Sequence, residues 1–222
     1  MKKFAFVSDF DGTLTSRDFY HIVIDKYYHD WGRDFYTEWK KTKKINVEFL
    51  NKIFGAMGKT EEEIREEIYQ LPFDPYAEDF IRKVQESGGD FYILSAGTSY
   101  YIKIFLQYRG IENVPVISME GKYKAGGIEI TPDRTSPYFS EVFGLDKSKV
   151  IKELKTQYEK VFFAGDSEPD LAAAKAADLA FAKAELKDLM EKEGDTFIPM
   201  ENYKVIEEHL VKEGWLNAKG NE

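Results

Sequence analysis

The chain has 222 residues, enough for one sizeable α/β core plus a smaller inserted unit. Its net charge of −9, with 31 basic residues interspersed among 40 acidic ones, argues against a nucleic-acid partner, because phosphate backbones are gripped by clustered Lys and Arg. There is no cysteine, which excludes disulfide and thiolate chemistry; no apolar stretch approaches the roughly 20 residues that span a bilayer and residues 1–8 are too short for a signal peptide, so a cytoplasmic protein with no membrane partner is expected.

Residues 4–7 predict a buried strand that ends at Ser8 and runs into Asp9-Phe10-Asp11-Gly12-Thr13. Residues i and i+2 of a strand share a face, so the geometry aims both carboxylates into one crevice at the strand's carboxyl end. Two anions that close raise each other's pKa unless a cation or a division of labour relieves them. The pair therefore points to a divalent metal and acid–base chemistry. Asp9 is the candidate nucleophile and a metal ligand. Asp11 is the candidate general acid and base, with its backbone carbonyl offered to the metal. Gly12 permits the tight turn, and Thr13 joins the phosphate-binding candidates, with an expected hydrogen bond that orients Asp11.

Residues 15–73 read as helices with an apolar face each. Ser16 is expected to cap a segment carrying Phe19, Ile22, Val23 and Tyr27, Asn46 opens another, and Thr60 with Glu63 fits a capping box. The chain returns through Pro72 and Asp74-Pro75. A helical cap over 15–73, set between core segments 1–14 and 74–222, can exclude water and select substrate. His21, His29 and His209 show no metal-ligand spacing.

Residues 91–94 predict a second strand, followed by Ser95-Ala96-Gly97. The Ser95 hydroxyl and the Ala96 and Gly97 N–H groups are expected to hold phosphoryl oxygens at the start of the next helix, where partial positive charge accumulates. Ser95 alone fits a helix cap equally well. Two short apolar runs, 114–118 and 127–131, predict a small β and loop insertion over 111–140. A third strand, 161–164, leads to Gly165-Asp166-Ser167 and Asp170. Asp166 would complete a hard-oxygen Mg²⁺ site with Asp9 and the Asp11 carbonyl. Asp170 fits either an outer ligand acting through water or an acid favoured by a helix dipole. Residues 179–182 and 197–198 read as further strands, and 218–222 as a frayed end. Strands alternating with helices predict an α/β Rossmannoid parallel sheet with helices on both faces, which binds ligands outside the carboxyl ends of its strands.

Asp9-Phe10-Asp11-Gly12-Thr13, Ser95 after a strand, a helix lysine and Gly165-Asp166-Ser167-x-x-Asp170 together resemble the haloacid dehalogenase superfamily, in particular its Mg²⁺-dependent phosphatases. The resemblance implies an aspartyl-phosphate intermediate, a mobile cap and a small phosphorylated metabolite as partner. The second acid, Asp11, argues against dehalogenase chemistry. The family's phosphate-binding lysine falls on Lys147, nineteen residues before Asp166, rather than on Lys149 or Lys152. A helical cap after the first strand resembles the phosphoserine phosphatase type. Asp18 takes the place of the acid that holds the substrate amino group there, whereas residues 49–54 offer no arginine for a substrate carboxylate. The stretch 165–175, residues 178–182 and Ile53-Phe54-Gly55 resemble the phosphatases of methionine salvage that act on 2-hydroxy-3-keto-5-methylthiopentenyl-1-phosphate. The alternatives are a phosphoserine phosphatase, a phosphomutase, or a catalytically silent phosphometabolite-binding protein. A monomer or homodimer is expected.

Overall fold

The computed structural model of the protein describes residues 2–218, so residues 219–222 of the expected frayed end lie outside the described residues. In chain order, β1 (Lys2–Ser8) enters one wide turn over residues 10–14, which passes to α1 (Phe19–Val23), α2 (His29–Thr42), α3 (Val47–Gly55) and α4 (Glu61–Tyr69), termed the cap below. Then come α5 (Ala77–Glu86), β2 (Asp90–Thr98), α6 (Ser99–Arg109), the hairpin β3 (Val116–Lys124) and β4 (Gly127–Thr131), and the short pair β5 (Phe139–Ser140) and β6 (Gly144–Leu145). The chain closes with α7 (Lys147–Leu154), β7 (Tyr158–Gly165), α8 (Leu171–Ala176), β8 (Leu179–Ala182), α9 (Ala184–Glu193), β9 (Ile198–Pro199) and α10 (Tyr203–Lys212).

The seven-stranded sheet has the order β4-β3-β2-β1-β7-β8-β9 and is parallel except for the β3–β4 pair. β1 sits at its centre, hydrogen-bonded to β2 on one side and β7 on the other. Strand alternation divides its apolar run between two layers. Phe4 and Phe6 pack with Phe80 of α5 and Ile206 and Leu210 of α10, while Ala5 and Val7 pack with Ile151 of α7, Ala173 of α8 and Leu186 of α9. Each fully buried Phe contributes about 1.5–3 kcal/mol of transfer free energy. The first layer continues without a break through Tyr101 and Phe105 of α6 into Phe49, Ile53 and Ile64 of the cap.

The Thr60–Glu63 capping box opens α4, and Asn46 caps α3 with its side chain. Ser16 does not cap α1: the helix starts at Phe19, and Asp18 stands at the cap position without a side-chain capping bond. The chain leaves for the cap and returns from it by adjacent segments that bond to each other, Ser16 N–H to Pro72 C=O at 2.8 Å and Asp74 N–H to Leu14 C=O at 2.9 Å. The expected insertion over 111–140 is only partly separate. β3 pairs in parallel with β2 and carries β4 as an edge strand of the main sheet, because its non-local pairing partner lies some twenty residues upstream of it. No helix among the described residues is long and apolar enough to cross a membrane.

Candidate active site

Asp9 and Asp166 stand one residue past the ends of β1 and β7 and Ser95 lies in β2, three strands side by side in the sheet, and the three residues meet at its carboxyl edge. Asp9 is held in place by its own backbone, whose N–H continues the β1–β7 ladder to Ala164 C=O at 2.9 Å. Beyond it the chain turns sharply at Gly12, with φ +76. A side chain there would be strained by that φ and would also strike the Asp166 carboxylate. The turn thus brings the β1 and β7 ends into contact.

Lys147, at the first position of α7, is fully buried beneath these carboxylates. Its Nζ donates to Asp9 Oδ1 at 2.7 Å and to Asp170 Oδ1 at 2.6 Å. Burial works against the charge of the ammonium, but Asp170 and Asp9 together hold it above the ordinary lysine range. Lys149 and Lys152 are exposed. Asp170 uses its second oxygen to accept the Asp166 and Ser167 N–H groups at 3.0 and 3.1 Å, so it clamps the loop after β7 while orienting the lysine. Asp170 thus stands at the entry to α8 and also offers an oxygen within 4.8 Å of those of Asp9 and Asp166, so the structure accommodates both roles open to it in the sequence.

Thr13 departs from expectation. Its hydroxyl donates to Asp166 Oδ1 at 2.7 Å, not to Asp11, because the left-handed turn at Gly12 swings residue 13 toward β7. Asp11 is oriented by two other donors, the Phe19 N–H at 2.9 Å on Oδ1 and the Tyr101 hydroxyl on Oδ2. The start of the helix after β2 is also corrected. The strand bulges between Ser95 and Thr98 and α6 begins only at Ser99, so Ala96 and Gly97 lie on the strand's bulged end and not in a helical first turn. The Gly97 N–H is taken up by Ser95 Oγ at 3.0 Å. Ser95, Ala96 and Gly97 nevertheless line the same cleft as Asp9, Asp11 and Lys147.

The cleft has a volume of about 630 Å³ between sheet and cap. Its floor carries Asp9, Asp11 and Asp166, and Asp18 stands at the entry to α1. The cap contributes Tyr20, His21 and Tyr36 as a contiguous ring cluster, with Tyr20 and His21 centroids 4.4 Å apart and His21 and Tyr36 4.8 Å apart. At the rim, Lys44 of the cap forms an ion pair with Glu168 of the core.

The electrostatics follow from five carboxylates gathered around one fully buried lysine. Burial raises Asp9 well above the ordinary carboxylate range, and the charges of Asp170 and Asp166 add to this against the opposing pull of Lys147. Burial and the neighbouring Asp18 push Asp11 to about 7, against the two hydrogen bonds it accepts. Asp166 is likewise pushed to about 7 by burial and by Asp170 and Asp18. Burial raises Asp18 too and lowers His21. This surplus of buried negative charge is what a divalent cation relieves. Carboxylate oxygens of Asp9, Asp166 and Asp170 lie within 4.8 Å of one another, an all-oxygen donor set suited to a hard cation. Sequence reasoning missed Tyr101: an aromatic residue in the first turn of an amphipathic helix reads as core, and only the fold brings its hydroxyl to Asp11.

The profile of the family described as haloacid dehalogenase-like hydrolase matches residues 6–175. A 2-hydroxy-3-keto-5-methylthiopentenyl-1-phosphate phosphatase of Brevibacillus brevis is 26% identical over 199 residues, covering 86% of this chain and 87% of that protein. One of the same name from Bacillus pumilus is 28% identical over 218 residues, with 90% of each chain covered. Among solved structures, a substrate-bound phosphoserine phosphatase complex superposes with a TM-score of 0.70 at 16% identity, covering 94% of this chain and 99% of that one.

Proposed function

The chain belongs to the haloacid dehalogenase-like hydrolases, and on that footing we propose that it is a Mg²⁺-dependent phosphatase that hydrolyses a small phosphomonoester through an aspartyl-phosphate on Asp9. The observation that carries the reading is the seat of Lys147, bonded at once to Asp9 and Asp170 at the strand edge where Asp166 also lies. In the first step an Asp9 carboxylate oxygen attacks phosphorus, the bond from phosphorus to the leaving oxygen breaks, and Asp11 gives that oxygen a proton. In the second step a water molecule gives a proton to Asp11 and attacks the phosphoryl group, releasing inorganic phosphate and restoring Asp9. Lys147 and Ser95 hold phosphoryl oxygens, with the backbone at Ala96 and Gly97 beside them. Thr13 acts through Asp166. Mg²⁺, when held by Asp9, Asp166 and the Asp11 carbonyl, with Asp170 behind them, supplies positive charge to the transferring group. An Asp11 near pH 7 in proton affinity suits both of its tasks.

For the substrate we favour 2-hydroxy-3-keto-5-methylthiopentenyl-1-phosphate. Tyr20, Tyr36 and Leu50 give the cleft an aromatic and aliphatic wall, which suits a thioether tail. Phosphoserine is the weaker candidate despite the structural likeness, because Asn51 in the relevant cap stretch spends its amide on the Ile130 backbone and does not line the cleft. Asp18 would face a polar group of the substrate near the phosphate. The reading takes a cytoplasmic setting and a monomer or homodimer as its expectations, the latter checked by sedimentation. A phosphate-release panel with Mg²⁺ that includes this ester, phosphoserine, hexose phosphates and p-nitrophenyl phosphate tests it. Free phosphate over many turnovers, fastest on the methylthio ester, is expected. An isomerised sugar phosphate would indicate a mutase, and no turnover on any ester would indicate a silent binding protein; either rejects the reading.

A further inference from the structure

No step above uses Tyr101, yet the fold builds a place for its hydroxyl. The ring is buried, with centroids 6.0 Å from Phe10, 5.1 Å from Phe19 and 6.0 Å from Phe54, so it locks the turn after β1 to two cap helices. Inside this apolar cage the hydroxyl donates to Asp11 Oδ2. A Cβ at position 97 would overlap that hydroxyl, so Gly97 clears the space it occupies. Phe19 N–H donates to the other Asp11 oxygen at 2.9 Å.

We propose that Tyr101 is a positioning residue for proton transfer to the leaving group, acting through Asp11; the inference rests on the reading of Asp11 as the general acid. A tyrosine hydroxyl has one proton to give. That proton goes to Asp11 Oδ2 while the Phe19 N–H meets Oδ1, so the two bonds together fix the plane of the carboxyl and the direction in which it presents its transferable proton. As the phosphorus–oxygen bond breaks, the leaving oxygen keeps the electron pair and takes the Asp11 proton; water later returns one to Asp11, and Tyr101 keeps its own throughout. Without the hydroxyl the Asp11 carboxyl loses one of the two bonds that fix its plane and can turn away from the leaving oxygen.

The test compares kcat/KM on phenyl phosphate and p-nitrophenyl phosphate, with Mg²⁺, for the unaltered enzyme, Tyr101→Phe and Asp11→Asn. The nitrophenolate departs with little need of a proton, whereas phenolate needs one. Tyr101→Phe is expected to lose about tenfold or more on phenyl phosphate and less than about twofold on p-nitrophenyl phosphate, in line with a hydrogen bond to a charged group. The ratio is taken within one preparation, so it does not depend on the fraction folded. Equal loss on both esters, or no loss on either, overturns the proposal. Asp11→Asn is expected to widen the same gap further. If Asp11→Asn shows no leaving-group preference, the acid role of Asp11 falls and the proposal falls with it; if only Tyr101→Phe fails to discriminate, the proposal falls alone.

Discussion

Taking away the Lys147 ammonium would leave Asp9 and Asp170 facing each other in a fully buried site, with Asp166 close by. Unpaired buried charge of this kind typically costs about 3–5 kcal/mol. Metal-free Lys147→Met is therefore expected to unfold at lower urea concentration at about pH 7.5 by roughly that amount, with a smaller deficit near about pH 5. The sign follows from Asp9. Its folded pKa is already raised, so the folded protein accepts a proton there as pH falls, and a neutral carboxyl is cheaper to bury than an anion. A deficit that does not shrink at acid pH would show that the lysine contributes packing rather than charge. At this scale type and spacing made legible the residues that meet in the cleft, namely Asp9, Asp11, Ser95, Lys147 and Asp166. Type and spacing did not reveal partners. The Thr13 bond to Asp166 and the Tyr101 bond to Asp11 join positions 153 and 90 residues apart, and each depends on a single turn or rotamer.

Among the elements, the cap is anchored on the β3–β4 hairpin. Asn51 of α3 donates to Ile130 C=O at 2.9 Å and accepts the Ile130 N–H at 2.7 Å, a two-bond clamp on a strand that stands at the sheet edge among the described residues. The packing there is close enough that a Cβ on Gly127 would overlap the Phe54 carbonyl. Asn51→Ala is expected to lower the unfolding free energy by about 1–3 kcal/mol in urea titration, because it strands the backbone groups of the buried Ile130. A loss below about 0.5 kcal/mol would mean that water replaces the amide and that the clamp is not an anchor. Strands were the most legible elements, since residues 4–7, 161–164 and 179–182 are continuous apolar runs, the first two of which end in turn residues. The end of β2 was less so. Ser95-Ala96-Gly97 has the small, polar composition of a helix start, while the backbone continues as a bulged strand as far as Thr98 because β3 remains beside it as a partner. The role of β3 and β4 as a sheet edge was likewise hidden, because pairing between distant segments leaves no local pattern.

For the whole molecule, the excess of acid inside the cleft links stability to pH and, on the proposed reading, to Mg²⁺. Asp11 and Asp166 have folded pKa values of about 7 against an ordinary 3.8. Their contribution is thus fully present below the ordinary value and is lost as pH rises through about 7. The metal-free protein is expected to lose about 5 °C or more of Tm between about pH 5 and pH 8, since a tenfold change in proton affinity is about 1.4 kcal/mol and about 1 kcal/mol moves Tm by about 2–4 °C at this size. Mg²⁺ should restore Tm at the alkaline end and do little at the acid end, because it competes with protons for the Asp9 and Asp166 carboxylate oxygens. Equal Mg²⁺ stabilisation at both would place the ion away from these carboxylates. Passage of the phosphoryl group through Asp9 is read by rapid acid quench of the enzyme turning over radiolabelled p-nitrophenyl phosphate with Mg²⁺. Label bound to the peptide that contains Asp9, released by hydroxylamine and absent from an inactive but folded Asp9→Asn, is the predicted result. Steady phosphate release without labelled protein, together with turnover by Asp9→Asn, would contradict it.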